Sequence, residues 1–156
     1  MAIEIERKFL VVGDGWRDRV TGASRMRQGY LSREGRASVR VRVVDDARAY
    51  LTIKAARGPI SRHEFEYVIP VGDAVALLEF RSGHLIDKVR HRVEIGERLW
   101  EVDVFEDENA GLVIAEIELA SESDALALPG WVGREITEDP RYYNAALARV
   151  PFSRWS

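Results

Sequence analysis

Apolar and polar residues alternate with period two through most of the chain, the spacing of strands with one apolar face. Over residues 3–10, Ile3, Ile5 and Phe9 share one face and Glu4, Glu6 and Lys8 the other. The same alternation sets Val39, Val41 and Val43 against Arg40 and Arg42 over 37–44, and Leu51 and Ile53 against Thr52 and Lys54 over 49–55. Over 62–69 it sets His63, Phe65, Tyr67 and Ile69 against Arg62, Glu64 and Glu66. It resumes over 85–95, with Val89 and Val93 against Lys88, Arg90 and Arg92. Over 98–106 Trp100, Val102 and Val104 oppose Glu101 and Asp103, and over 112–120 Ile117 and Leu119 oppose Glu116 and Glu118. With a first strand ending near Val12 and a short one over 27–32, made irregular by Gly29, eight strands are predicted.

The connections are short. Asp45-Asp46, Arg57-Gly58-Pro59 and Gly96-Glu97 are turn signals, so consecutive strands should pair antiparallel. Asp14 is placed to cap a short helix through Val20, ended by Gly22 and burying Trp16 and Val20. Asp73 is placed to cap a helix over 74–81 stopped by Gly83. Asp139-Pro140 should open a terminal helix over 141–150 that buries Tyr142, Tyr143 and Leu147. Residues 131–137 read as irregular or briefly extended, and 151–156 as a tail carrying Phe152 and Trp155. The fold class predicted is α+β, an eight-stranded antiparallel β-barrel with a few covering helices, in one domain over 1–156.

Composition narrows the function classes. The net charge of -3 gives no basic field of the kind nucleic acid attracts. The absence of cysteine removes disulfides, thiolate metal sites and a cysteine nucleophile, and suits a reducing compartment. No apolar run reaches the roughly 18 residues of a spanning helix, and Glu4 and Glu6 stand where a signal peptide is apolar, so a cytoplasmic protein is expected.

The charged residues are sorted by strand. Carboxylates stand two apart at Glu4/Glu6, Glu64/Glu66, Glu101/Asp103 and Glu116/Glu118; basic groups stand two apart at Arg40/Arg42 and along Lys88, Arg90 and Arg92. Lys8, Lys54 and Arg62 are single additions. Such faces either look outward and are solvated, or line a wet channel under an apolar exterior. Periodicity alone does not choose. Sorting by sign leans toward the channel, because a solvated face gains from mixed signs. A channel with both sets would be satisfied by a divalent cation together with a polyphosphate.

Glu4-Ile5-Glu6-Arg7-Lys8 resembles the Glu-x-Glu-x-Lys signature of the CYTH superfamily, the triphosphate tunnel metalloenzymes, in its short bacterial form. The resemblance continues through Gln28-Gly29-Tyr30-Leu31, Arg40-Val41-Arg42, Thr52-Ile53-Lys54, Glu64-Phe65-Glu66, Lys88-Val89-Arg90, Glu101-Val102-Asp103, Glu116-Ile117-Glu118 and Tyr142-Tyr143-Asn144. It implies the inward-facing arrangement and metal-dependent hydrolysis of a small triphosphate, inorganic tripolyphosphate first. Glu4, Glu6 and Glu118 would bind Mg²⁺ or Mn²⁺, with Glu116, Asp103, Glu64 and Glu66 as a further set. Lys8, Arg40, Arg42, Lys54, Lys88 and Arg90 would hold phosphate oxygens, and Tyr30, Lys8 and Lys88 would form the catalytic set. Tyr30 reads equally as a packing aromatic. Arg7, His63, His84 and His91 are not candidates; Arg7, His63 and His91 fall opposite the charged face. Alternatives within the family are a class IV adenylyl cyclase and a thiamine or nucleoside triphosphatase; outside enzymes, a polyphosphate-binding module. No nucleic-acid or membrane partner is expected. A homodimer through an apolar outer face is a further expectation.

Overall fold

The protein is described by a computed structural model covering residues 2–32 and 35–155. Its strands are β1 (Ala2–Val11), β2 (Val20–Ser32), β3 (Ala37–Val44), β4 (Arg48–Ala56), β5 (Ser61–Ile69), β6 (Ser82–Ile95), β7 (Arg98–Phe105), β8 (Val113–Glu118) and β9 (Val132–Glu135). They lie in the order β5-β4-β3-β2-β6-β7-β8-β1-β9, and β1 returns onto β5. That pairing closes β1 to β8 into an eight-stranded antiparallel barrel. The first half of β1 pairs with β5, Glu4 opposite Arg62, and the second half with β8, Glu6 opposite Glu118. The ninth strand, β9, falls in the stretch read as irregular or briefly extended and pairs with the end of β1.

The predicted strand at 27–32 is the second half of a longer one. β2 starts at Val20 and pairs with β6 from the outset, Val20 opposite Val93. The short helix expected through Val20 is therefore a 3-10 helix over Gly15–Arg19, and Asp14 accepts from Arg17 Nε instead of capping it. Helix α1 (Val71–Leu78) begins two residues before Asp73, following Pro70, which leaves Asp73 in the first turn, where a carboxylate is favoured. The predicted terminal helix splits into a 3-10 turn at Pro140–Tyr142 and helix α2 (Asn144–Arg149). The tail forms a further 3-10 turn at Phe152–Arg154, and Ser156 lies outside the described residues.

The apolar strand faces point out of the barrel, and most of them are covered, Tyr67 on β5 being left exposed. Trp16 and Trp131 lie over Phe9, Val93, Trp100 and Ile117. Full burial of such large side chains is worth about 1.5–3 kcal/mol each, so this outer layer, not the channel, holds the barrel shut. Helix α1 covers Val41, Val43 and Ala49 with Ala74 and Leu78. It approaches the sheet where Gly29 leaves room: a Cβ there would stand 3.0 Å from Arg81 and 3.1 Å from Leu78. Helix α2 does something different. Leu147 and Ala148 join Ile86, Phe105, Ile114 and Tyr30, whose strand positions face inward, so α2 plugs one end of the barrel interior with apolar side chains. Among the described residues no helix is long and apolar enough to cross a membrane.

Candidate active site

Beyond the apolar plug the interior is a charged cavity of about 430 Å³. All eight barrel strands contribute to its wall, with Tyr143, Asn144 and Ala145 entering from the α2 end. Of the residues singled out from sequence, Glu4, Glu6, Lys8, Tyr30, Arg40, Arg42, Lys54, Glu64, Glu66, Lys88, Arg90, Glu116 and Glu118 line it. Asp103 does not. A smaller cavity of about 190 Å³ shares Arg42, Glu66, Arg90 and Glu101 with it and continues to Arg48, Tyr50 and Arg92.

One part of the wall is a closed ionic network. Asp103 is fully buried; it accepts from Lys88 Nζ at 2.7 Å and from Arg90 Nε and Nη2 at 2.8 and 2.9 Å. Arg90 Nη2 also donates to Glu116 at 3.1 Å. Burial opposes ionisation of Asp103, but Arg90 and Lys88 outweigh it and hold the carboxyl far below its usual range. Arg90 is correspondingly held well above its ordinary value: Asp103 and Glu116 outweigh its own burial. Lys88 is pushed down to about 7, chiefly by burial and then by its neighbours Arg90 and Arg42, against the pull of Asp103. Lys8 lies 3.5 Å from Glu6 and 3.7 Å from Glu116; burial opposes its charge, and Glu116 and Glu6 overcome that and raise it.

The carboxylate side of the channel is not balanced in this way. Glu6 faces Glu118 directly across the β1–β8 ladder, a like-charge pairing that costs stability, while Glu101 and Glu116, facing across β7–β8, are bridged by Arg90 at 3.4 and 3.1 Å. Glu118 has no ion-pair partner among the described residues; its carboxyl is raised by burial and by Glu4 and Glu6. Glu4 is raised by burial and by a hydrogen bond with Glu64, although Lys54 Nζ sits 2.8 Å from it. Glu101 is raised by burial, with Glu116, Asp103 and Glu6 adding to it against the pull of Arg90. On the opposite side Arg42 has no ion-pair partner among the described residues, and Arg40 has only Glu66, at 3.8 Å. Arg42 is pushed down to about 9 by burial, Arg40 and Arg90, and still carries its charge at neutral pH. Arg40 donates to Thr52 at 3.3 Å, while its buried Nε has no hydrogen-bond partner among the described residues.

An oxygen-only donor set with excess negative charge fits a hard divalent cation. Among the described residues no three His, Asp or Glu side chains form a cage by themselves.

Some wall residues were visible in sequence only as charges on the right face. Arg62 and Glu101 line the cavity, whereas Asp103, drawn into the ligand set by resemblance, is sealed behind Lys88 and Arg90. Tyr143 carries Lys8 and Arg62 against its ring, at 5.5 and 5.1 Å from the centroid. Gln28 and Asn144 stand behind Arg42 and Lys88. Nothing in the spacing of uncharged amides so far apart marks them. The residues set aside stay outside: Arg7 pairs with Glu135 on the surface, and His91 packs on Trp16.

Comparison with known proteins agrees with this geometry. An inorganic triphosphatase of Acetivibrio thermocellus is 46% identical over 156 residues, 99% of each chain. One of Nitrosomonas europaea is 36% identical over 148 residues, covering 93% of this chain and 96% of its own. A crystal structure of an inorganic triphosphatase superposes with a TM-score of 0.67 at 34% identity, over 95% of both chains. The CYTH domain pattern matches residues 2–146, and the chain belongs to the CYTH domain family.

Proposed function

We propose that this protein hydrolyses inorganic triphosphate to pyrophosphate and phosphate, using Mg²⁺ or Mn²⁺ held by Glu4, Glu6 and Glu118. The observation that carries the reading is the double imbalance inside one closed channel. Carboxylates face carboxylates on one side, while on the other Arg42 has no ion-pair partner among the described residues and Arg40 has only Glu66, at 3.8 Å. A metal-bound polyphosphate offsets both at once. The inorganic triphosphatases at 46% and 36% identity support the same substrate. The cavity wall is predominantly charged, and Lys8 and Arg62 already stack on its Tyr143 ring, which favours a small polyanion over a nucleobase or thiamine.

Metal dependence goes with the tunnel enzymes of this family, and the bound cation would neutralise phosphate oxygens as charge moves onto the leaving group. Arg40, Arg42, Lys54 and Arg90 hold phosphate oxygens, the arginines through their planar forks. Water attacks the terminal phosphorus in line; the bond from that phosphorus to its bridging oxygen breaks, and pyrophosphate leaves with the electron pair. Lys8 and Lys88 stabilise the negative charge on pyrophosphate. A carboxylate of the Glu64, Glu66 and Glu116 set takes the proton of the attacking water, with Tyr30 at the apolar boundary as a further proton carrier. Asp103 anchors Lys88 and Arg90 instead of binding metal.

The test is a panel of tripolyphosphate, ATP and thiamine triphosphate, read by phosphate and pyrophosphate release with Mg²⁺, Mn²⁺ or a chelator. The expected result is equal yields of phosphate and pyrophosphate from tripolyphosphate, abolished by the chelator. Absence of metal-dependent release from every triphosphate overturns the reading, and cyclic AMP from ATP replaces it with a cyclase.

A further inference from the structure

Two channel cations are steered by side chains that carry no charge. Arg42 Nε donates to Gln28 Oε1 at 2.6 Å, Gln28 Nε2 donates to Asn144 Oδ1 at 2.9 Å, and Lys88 Nζ donates to the same oxygen at 3.0 Å. Gln28 and Asn144 are both buried. The direction of every link is forced. A guanidinium Nε only donates, so Gln28 must present its oxygen to Arg42. That turns the Gln28 amide nitrogen toward Asn144, which must accept, and the Lys88 ammonium also only donates. Flipping either amide breaks at least one link.

The relay fixes which donors remain for a ligand. Arg42 gives Nε to Gln28 and keeps its terminal nitrogens for the cavity it lines. Lys88 directs two of its three N–H bonds to Asp103 and Asn144 and has one left. Asn144 is not spent on its own helix: Tyr143 is the residue preceding α2, and no side chain caps that end. Asn144 is the point where the apolar plug, anchored by Leu147 and Ala148, meets the charged channel.

We propose that Gln28 and Asn144 are positioning residues, a relay that aims Arg42 and Lys88 at the bound phosphates and makes the seating of α2 a condition of catalysis. The proposal rests on the triphosphatase reading. Gln28 lies outside the cavity wall and acts through Arg42; Asn144, at the wall's apolar end, acts through Lys88 and Gln28. The acceptor oxygen of Asn144, not its volume, is the functional part.

The experiment compares Asn144→Leu, Asn144→Asp, Gln28→Met and the Gln28→Met/Asn144→Leu double variant. The readouts are kcat and KM for tripolyphosphate with Mg²⁺, tripolyphosphate affinity by calorimetry, and Tm. Asn144→Leu keeps the size and removes the acceptor; kcat/KM should fall about 10- to 100-fold, the usual cost of losing such an orienting partner. Asn144→Asp keeps an acceptor for both donors and should stand at least about fivefold above Asn144→Leu, a rescue that packing alone would not give. The double variant should be no worse than its worse parent, because both break one relay. Wild-type kcat/KM in Asn144→Leu, equal losses in the Leu and Asp variants, or losses that multiply in the double variant each overturn the proposal. Should Asn144→Leu not fold, Gln28→Met decides by the same measure: a tenfold fall supports the relay, and wild-type kinetics refute it. If the wild-type protein turns over no triphosphate, the proposed function fails instead. The relay is then judged by affinity: weaker tripolyphosphate binding in Asn144→Leu than in Asn144→Asp upholds it, and equal binding overturns it.

Discussion

Two stretches of the same channel wall contain similar residues and behave differently. On β6 and β7, Lys88, Asp103 and Arg90, joined by Glu116 from β8, form a network in which each charge meets its opposite within hydrogen-bond distance. Where β1 meets β8, Glu6 has Lys8 at 3.5 Å but also faces Glu118, which has no ion-pair partner among the described residues. The first arrangement leaves a ligand only the donors it has not used, such as the third N–H of Lys88. The second stores repulsion that a cation relieves. Ligand-binding capacity here follows unmet charge, not charge density.

The largest effect should come from breaking the satisfied side. Asp103→Asn leaves Lys88 and Arg90 buried with one carboxylate fewer, and unfolding in urea should show a loss of about 3–5 kcal/mol. The loss should grow as pH falls below about 7, where Lys88 of the wild type has regained its proton and that of the variant has not. Burial lowers Lys88 in the fold from an ordinary 10.5 to about 7, so between those values the unfolded chain binds the extra proton and stability falls as pH falls. Without Asp103 that window extends further down. A loss that is the same at pH 7 and at about pH 5.5 would argue against the network.

On the unsatisfied side the same kind of change should spare the fold and cost activity. Glu6→Gln removes one of two facing charges; the metal-free protein should melt at or above the wild-type temperature, while kcat/KM drops by about a hundredfold or more. A variant that melts earlier and keeps its rate would reverse the contrast. Next in size is metal itself. Mg²⁺ at about 100 times its dissociation constant should stabilise the fold by about 2.7 kcal/mol, raising Tm, and Glu118→Gln should shrink that shift. The smallest effect belongs to a pair outside the channel. Arg7→Ala removes the ion pair with Glu135, in which the side chains are 26% and 39% exposed, and should change stability by about 0.2–1 kcal/mol with no change in rate.

The contrast also marks what the sequence could disclose. Period-two alternation places nearly every wall residue on its correct face, because a strand leaves a side chain only two directions. It could not say that the charged face turns inward; that depends on β1 reaching both β5 and β8. The first half of β2 was missed because Val20-Thr21-Gly22-Ala23-Ser24 lacks apolar alternation and is held extended by β6. The plug by α2 escaped notice because Ile86, Phe105 and Ile114 lie on otherwise charged faces, where single apolar residues look like noise. Asp103 and Glu101 are indistinguishable by spacing, and only packing decides which is sealed and which lines the cavity.

The division of β1 between two neighbours has a consequence for how the molecule is made. The strand that bears Glu4 and Glu6 precedes both of its barrel partners in the chain, and its last one, β8, forms from residues near the other end. Such distant pairings are slow to find. The acidic face that Glu6 shares with Glu118 therefore comes into being only when the ring is completed.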